Sequence, residues 1–248
     1  MLEPAWILHH YPYRDSSLLL EVFSRQYGRL GLIARGARSA KSRWRGQLQG
    51  FTPLLLSWSL RGELGTLTGL ELLGLPCIGV GRPLLGASYL NELIMRMVPR
   101  HDPHPALFDA YAQALQDLAI NEEPVLRLFE KCLLQALGYG LLLDREADTG
   151  LPVSADSRYE YRLERGPIRC DNGSADGLVV HGSSLLALSN GILDDPVSRR
   201  ETRRLMRAAL SLYLGSRPLR TREVLREFAA LDLTKVLTET SARVREPG

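Results

Sequence analysis

Residues 25–45 read RQYGRLGLIARGARSAKSRWR, and this stretch combines a strand pattern with a dense run of positive charge. Its cationic side chains are Arg25, Arg29, Arg35, Arg38, Lys41, Arg43 and Arg45, and it contains no acidic residue. Such a run repels itself, so it needs either water or a polyanion as its surroundings. Apolar residues continue through the run, which argues against a disordered tail.

The run divides into a strand and a loop. Residues 29–34 predict a short strand, and residues 36–42, which are small or basic, predict a loop. A basic loop between strands, with aromatic side chains nearby, suits the backbone of a nucleic acid. Trp44 stands between Arg43 and Arg45, and we expect its ring to be exposed. The alternative is an ordinary solvated loop.

The segments around this loop predict a small barrel. Strand patterns cover residues 5–12, 16–23, 29–34, 48–59 (interrupted by Pro53) and 62–73. About five short strands with no convincing helix favour a barrel of the oligonucleotide-binding kind, whose strand face and loops hold single strands. Aromatic residues on such a barrel can stack on bases, although they are more often part of the core.

The apolar period changes to that of helices after residues 79–83, which predict a boundary between a domain of residues 1–81 and one of residues 82–248. Helical patterns cover residues 84–97, 107–118, 124–137, 183–193, 196–214 and 221–231. Residues 141–180 form an irregular insertion with a β-hairpin near residues 159–170 and a turn at Asn172-Gly173-Ser174. The predicted fold class is α+β, an oligonucleotide-binding barrel followed by a mostly helical domain with a small β-hairpin insertion.

Composition is that of an ordinary globular protein, with 45% apolar and 24% charged residues and a net charge of +3. The positive charge is concentrated in two regions. Residues 1–81 hold nine Lys or Arg against five Asp or Glu, and residues 196–222 hold eight Arg against one Glu. The cysteines, Cys77, Cys132 and Cys170, are far apart, which fits a reducing cytosol better than a disulfide framework. No apolar run approaches the length of a membrane span.

The second basic region contains a helix with one cationic face. Its cationic residues are Arg199, Arg203 and Arg207, spaced i, i+4, i+8, with Arg200 and Arg204 beside them. Leu205, Ala209 and Leu212 are expected to form the opposite, apolar side. This face could bind phosphates or an acidic peptide. The alternative is a solvated face neutralised by acidic neighbours.

No catalytic constellation is present in the sequence, and we expect a protein that is not an enzyme and needs no cofactor. The carboxylate pairs Glu122-Glu123 and Asp194-Asp195 stand at predicted helix starts, where negative charge favours the helix dipole. Arg127 and Lys131 lie four residues apart beside apolar positions. Such cations could bind a peptide carboxylate, although a solvated pair is more common.

Several segments together resemble one protein family. They are Tyr27-Gly28-Arg29, Ala34-Arg35-Gly36-Ala37-Arg38-Ser39, Gln49-Gly50-Phe51-Thr52-Pro53-Leu54, Tyr89-Leu90-Asn91-Glu92-Leu93, Leu137-Gly138-Tyr139-Gly140 and Tyr213-Leu214-Gly215. In this order they resemble the bacterial recombination-repair family RecO. The resemblance covers most of the chain and implies an oligonucleotide-binding barrel, a helical domain and a cytoplasmic, nucleoid-associated mediator of homologous recombination.

The resemblance also implies partners and contact residues. RecO proteins bind single- and double-stranded DNA, anneal complementary strands, engage the acidic tail of the single-strand DNA-binding protein and, with RecR, help to load RecA. The residues expected to contact DNA are the cations of residues 25–45, Trp44, and Arg199, Arg203 and Arg207 of the helix. Arg127 and Lys131 are expected to contact the tail. Many relatives carry a four-cysteine zinc module, but here only Cys170 falls within residues 145–180, so no metal is expected.

Three hypotheses follow from the sequence. The first is a DNA-binding repair mediator. The second is an interaction scaffold whose basic faces hold acidic proteins, with DNA binding incidental. The third is an enzyme acting on nucleic acid, such as a nuclease, which would need clustered carboxylates near the basic loop, and residues 25–45 have none.

Overall fold

The computed structural model describes residues 2–60, 62–170, 177–215, 217–221 and 223–224. The predicted turn at Asn172-Gly173-Ser174 lies outside the described residues, as does most of the predicted helix over residues 221–231.

A closed barrel forms the amino-terminal part of the protein. Its strands are β1 (Glu3–Tyr13), β2 (Ser17–Ser24), β3 (Gly28–Ala34), β4 (Leu54–Leu60) and β5 (Leu64–Leu72). They close in the order β1-β2-β3-β5-β4, and β3 pairs with β5 in parallel. This topology confirms the predicted oligonucleotide-binding barrel. The strand predicted over residues 48–59 begins only at Leu54, because Pro53 lacks the N–H that a ladder needs.

Both faces are buried over residues 5–8 of β1 and residues 20–24 of β2. The barrel interior holds Ala5, Ile7, Leu20, Val22, Leu30 and Leu32. The alternate side chains Trp6, Leu8 and Phe23 point outward and join the core of the helical part. Because successive side chains of a strand point to opposite faces, this double burial explains the nearly continuous apolar runs in the sequence.

The rest of the described chain is mainly helical. Its elements are α1 (Arg82–Met97), α2 (Pro105–Asp117), α3 (Glu122–Ala136), β6 (Arg158–Arg162), β7 (Gly166–Arg169), β8 (Leu178–His181), α4 (Gly182–Asn190) and α5 (Pro196–Leu214). The predicted hairpin is present as β6 and β7, and β8 adds a third strand that the sequence did not predict. The predicted fold class is confirmed. The division into domains at residue 81 stays a prediction.

A β-bulge in β1 connects the barrel to the helices. The pairing of β1 with β2 shifts register between Ile7 and His9, which leaves Leu8 without a partner in β2. The Asn91 side-chain amide on α1 donates to the Leu8 carbonyl at 2.8 Å, and the Tyr111 hydroxyl donates to Asn91 Oδ1 at 2.5 Å. A carbonyl freed from the ladder is thus satisfied inside the junction.

Candidate nucleic-acid interface

The basic loop, defined here as residues 35–45, follows β3 at one end of the barrel. Its cationic residues, Arg35, Arg38, Lys41, Arg43 and Arg45, are all exposed. None of them forms an ion pair with another residue that the structure describes. Like charges gathered without opposing carboxylates create a positive field that attracts polyanions.

Successive turns hold the backbone of the basic loop. The N–H groups of Ala37, Ser39, Ser42, Arg45 and Gln47 each donate to the carbonyl three residues earlier, at 3.0–3.4 Å. The Arg38 N–H donates to the Ser16 carbonyl at 2.8 Å, which ties the loop to the turn between β1 and β2. The cations are therefore presented by an ordered backbone and not by a loose strand.

Trp44 anchors this loop. Its side chain is only 6% exposed and joins the apolar core of the barrel together with Leu48. The Arg43 guanidinium carbon lies 4.1 Å from the centre of the Trp44 ring, which is a cation–π contact. The prediction that Trp44 is exposed is wrong, because burying a large apolar ring outweighs the polarity of its two neighbours. Its ring is not available to stack on a base.

The first cations of the charged stretch have internal partners. Arg25 donates through Nε and Nη2 to both carboxylate oxygens of Asp109 on α2, each at 2.9 Å. Arg29 Nη1 donates to Glu21 at 3.1 Å, and Arg100 donates to the other oxygen of the same carboxylate. Glu21 is buried, so its charge requires these partners. Two predicted DNA contacts, Arg25 and Arg29, thus serve the junction between barrel and helices.

Helix α5 carries the second cationic surface, which we call the α5 stripe and define as Arg200, Arg203, Arg204 and Arg207. All four are exposed, at the i, i+3, i+4, i+7 spacing of one helix face. Sequence reasoning left Arg200 and Arg204 out of the expected DNA contacts, although this spacing could have identified them. It included Arg199, which is half-buried and donates through Nε to the Leu193 carbonyl at 2.8 Å.

The apolar side of α5 also differs from expectation at one position. Leu205 and Ala209 are buried as predicted, but Leu212 is 48% exposed. It lies in the last turn of the helix, where it lines a surface cleft. Asp195 caps the start of α5, and its side chain accepts from the Ser198 N–H at 2.8 Å. This hydrogen bonding to Ser198 lowers the pKa of Asp195.

Two aromatic side chains, Tyr27 and Trp58, meet on the barrel surface. Tyr27, in the turn before β3, is 49% exposed, and its ring meets the Trp58 ring edge-to-face with centroids 5.2 Å apart. Together with Glu3 and Leu60 they line a cleft of about 220 Å³. This pair, unlike Trp44, is an aromatic surface of the barrel that a base could reach.

Arg127 lies inside the helical part and is only 7% exposed. Its Nη2 donates to Glu130 Oε1 at 2.7 Å, and the Tyr89 hydroxyl donates to the same oxygen at 2.5 Å. Arg127 Nε is buried without a hydrogen-bond partner among the described residues. The alternative of a solvated pair of cations is therefore wrong for Arg127, because this guanidinium compensates the fully buried Glu130 carboxylate.

Lys131 lies one turn further along α3 and is partly exposed. Its Nζ donates to the Leu188 and Ser189 carbonyls at the end of α4, each at 2.9 Å. An ammonium group has three donors, so one remains without a partner among the described residues. Burial lowers the pKa of Lys131. The side chain lines a cleft of about 460 Å³ beside Leu141, Leu142 and Asp144.

The predicted contacts thus fall into separate groups: the basic loop on the barrel, the pair at the junction, the α5 stripe, and the two α3 cations. Within the described ranges, no group of three or more His, Cys, Asp or Glu side chains could hold a metal ion, and the expectation of no metal stays a prediction. None of the described helices has both the length and the apolar character to cross a bilayer.

Comparison with known proteins gives the same family for both parts of the chain. Residues 1–76 match the family described as "Recombination protein O N terminal", and residues 81–223 match "Recombination protein O C terminal". The unmatched residues between them fall where the sequence changes period.

Curated relatives match over nearly their whole length. The DNA repair protein RecO of Nitrosococcus oceani is 46% identical over 233 residues, which is 93% of this chain and 95% of that protein. The same protein of Dechloromonas aromatica is 44% identical over 92% of this chain and 96% of its own. That of Alkalilimnicola ehrlichii is 47% identical over 92% of each. The chain belongs to the RecO family of DNA repair proteins.

Proposed function

We propose that the protein is a recombination mediator that binds single- and double-stranded DNA and anneals complementary strands. With RecR, it would help to load RecA onto DNA coated by the single-strand DNA-binding protein. It would act in the cytoplasm, at the nucleoid. Annealing requires no covalent bond to be made or broken, so we propose that the protein is not an enzyme.

The observation that carries this proposal is the basic loop. The loop presents five exposed cations on an ordered backbone. They have no carboxylate partners among the described residues and are available to bind phosphates. Each neutralised phosphate releases condensed counterions, which supplies most of the sequence-independent binding free energy. Neutralising two strands in one place lowers their mutual repulsion, and complementary bases then decide which strands pair.

The test removes three loop cations with Arg35→Ala, Arg38→Ala and Lys41→Ala in one variant. Each of these side chains is exposed, so the fold should survive. We expect affinity for single and double strands to fall together, whatever the sequence. The slope of log affinity against log salt should become shallower by about 2 for single strands, at about 0.7 per lost phosphate contact. Fluorescence anisotropy at several salt concentrations measures both quantities.

A matched variant controls for net charge. Arg145→Ala, Arg158→Ala and Arg162→Ala removes three exposed cations from the helical part and lowers the charge equally. We expect this variant to keep most of its affinity and salt slope. Equal losses in both triple variants, or an unchanged affinity in the loop variant, would contradict a DNA site at the loop.

The cleft beside Lys131 supports a second contact, with the acidic tail of the single-strand DNA-binding protein. A fixed ammonium group in a cleft that also has leucine side chains in its lining matches a peptide that combines a carboxylate with apolar side chains. Arg127 stays a predicted contact for the tail. Because it compensates Glu130, we propose that it acts mainly by holding α3 in place.

Lys131→Gln tests this contact. We expect capture of the single-strand DNA-binding protein to fall several-fold while affinity for naked DNA is unchanged, because the charge lost is away from the loop. Gln135→Ala changes the same cleft without changing charge and serves as the control. Arg127→Ala is a poorer test, since an uncompensated buried carboxylate costs about 3–5 kcal/mol of stability.

The alternative function is a scaffold that binds acidic protein tails without a role for DNA. The Lys131 cleft is the observation that favours it, because it needs no nucleic acid. Titration with a single-stranded oligonucleotide separates the two functions. A protein that captured acidic tails but bound no oligonucleotide at low salt would be the scaffold.

A further inference from the structure

Two segments that lie far apart in sequence meet in the helical part. Gly138-Tyr139-Gly140 follows α3, and Tyr213 lies in the last turn of α5. The rings of Tyr139 and Tyr213 are stacked, with centroids 3.9 Å apart and planes inclined by 18°. Tyr139 remains 45% exposed. A flat aromatic surface that is already stacked on one side and open to solvent is thus built into the fold.

This pair lies in a cleft between three elements. The cleft has a volume of about 260 Å³ and is lined by the turn between β6 and β7 as well as by α5. Leu163 and the exposed Leu212 contribute apolar walls. Arg165 and Glu164 also line the cleft, and Glu164 Oε1 lies 3.5 Å from the Tyr213 hydroxyl.

The charges at the cleft are mixed, because Arg165 and Glu164 both line it. The helix that provides Tyr213 also carries the α5 stripe, but Arg207 lies about 120° around the helix axis from Tyr213, so the stripe faces away from the cleft. The carboxyl-terminal end of α5 would normally repel an anion. Here Arg96 donates through Nη2 to the carbonyl groups of Leu214 at 2.5 Å and Arg217 at 2.7 Å, which offsets that charge.

We propose that the exposed face of Tyr139 is a stacking site for a base of single-stranded DNA, with Arg165 holding a neighbouring phosphate. Surfaces that bind single strands without sequence preference combine aromatic platforms with cations along the backbone path, and this cleft has both. The inference rests on the proposed DNA binding but extends it from the barrel to the helical part. One strand could then lie in this cleft while the basic loop holds its complement.

The experiment compares Tyr139→Ala with Tyr139→Phe in the full chain. Anisotropy with a labelled oligothymidylate should give an affinity lowered about fivefold to a hundredfold for the alanine variant, the range for losing one stacked base. The phenylalanine variant should bind like the unmodified protein. The salt slope should not change, because no charge is removed. Binding of a duplex should be little affected, because its bases are already stacked.

Ile192→Ala is the matched control, since it removes another exposed apolar side chain from the helical part. A second measurement needs no destabilising variant. The fluorescence of an oligonucleotide carrying 2-aminopurine should be quenched when it binds the unmodified protein or the phenylalanine variant. Equal affinity and equal quenching in the alanine variant and the unmodified protein would overturn the inference. So would a loss of affinity that is equal for duplex and single strand.

The loop variant lacking Arg35, Arg38 and Lys41 is measured alongside. If it binds weakly while Tyr139→Ala binds normally, the proposed DNA binding stands and the stacking site is wrong. If the unmodified protein binds no single strand, both are wrong. If Tyr139→Ala keeps DNA affinity but loses capture of an acidic peptide, the cleft is a peptide site and the inference fails.

Discussion

The two halves of the cationic stretch, residues 25–29 and residues 35–45, have the same chemistry in sequence but different surroundings in the fold. Arg25 and Arg29 contact the carboxylates of Asp109 and Glu21 at the junction with the helices. The cations of the basic loop have no such carboxylate partner among the described residues. The first half joins two parts of one molecule, and the second half is open to another molecule.

The difference arises from what packs against each half. Glu21 lies on the neighbouring strand, and Asp109 comes from a helix 84 residues away. The basic loop instead covers the end of the barrel, where Trp44 provides apolar contact and none of the loop cations forms an ion pair with a carboxylate that the structure describes. A count of positive charges therefore does not identify a binding surface until the positions of the opposing charges are known.

The largest effect is expected at Trp44, which anchors the basic loop. Trp44→Ala removes a buried ring from the barrel core and should lower the free energy of unfolding by about 3–5 kcal/mol. It should also weaken DNA binding, because the loop cations lose the contact that fixes their positions. Urea unfolding measures the first effect and anisotropy the second.

Trp44→Phe separates the ring from its N–H group. The Nε1 atom is buried without a hydrogen-bond partner among the described residues, so removing it leaves no broken bond. The phenylalanine variant should therefore keep most of the stability and nearly all of the DNA affinity. If alanine at this position left DNA affinity intact in a folded protein, the anchor would have no role in binding.

Changes at the ion pairs of residues 25–29 should alter the stability of the protein and leave its DNA affinity unchanged. Glu21→Gln leaves Arg29 and Arg100 without their carboxylate in a largely buried setting. Since Arg100 is about a third exposed, we expect a loss of about 2–3 kcal/mol, below the 3–5 kcal/mol of a fully buried pair. The affinity of the folded variant for DNA should not change. A variant that unfolded normally but bound DNA more weakly would place these arginines in the DNA site.

The α5 stripe permits the same comparison on one helix. Arg200→Ala with Arg204→Ala removes two exposed cations and should weaken single-strand binding a few-fold, with a salt slope shallower by about 1.4. Arg199→Ala instead removes the half-buried donor to Leu193 and should leave the slope unchanged. Anisotropy across a salt series distinguishes the double variant from Arg199→Ala. An identical salt slope in these two variants and the unmodified protein would show that the α5 stripe does not contact DNA.

Sequence reasoning predicted the architecture well because periodicity encodes it. The five strands of the barrel and the described helices follow apolar spacings of two and about 3.6 residues. The start of β4 after Pro53 follows from the missing N–H of that residue. Strand β8 was missed because four residues give too short a pattern. The predicted sites were less complete, because the burial of Trp44 and Arg127 depends on side chains that are distant in sequence.

The smallest expected effect is that of the exposed pair between Arg25 and Asp109. Hydrogen bonding and charge from Arg25 hold the pKa of Asp109 below its ordinary value of 3.8. A carboxyl group with a lowered pKa in the folded state contributes stability above its unfolded pKa and loses it as the pH falls through the folded value. Asp109→Asn should therefore lower the melting temperature by no more than about 2 °C at neutral pH, and by progressively less below pH 3.8.

Thermal unfolding of both proteins across this acidic range measures the difference, and Asp117→Asn on the same helix is the control, because its carboxylate contacts the neutral Gln113. A difference that grew on acidification would contradict the sign of this linkage. If Asp109→Asn instead raised DNA affinity, Arg25 released from its partner would be able to reach a phosphate. The junction pair would then restrain the DNA site, and the separation of the two halves of the cationic stretch would rest on a single carboxylate.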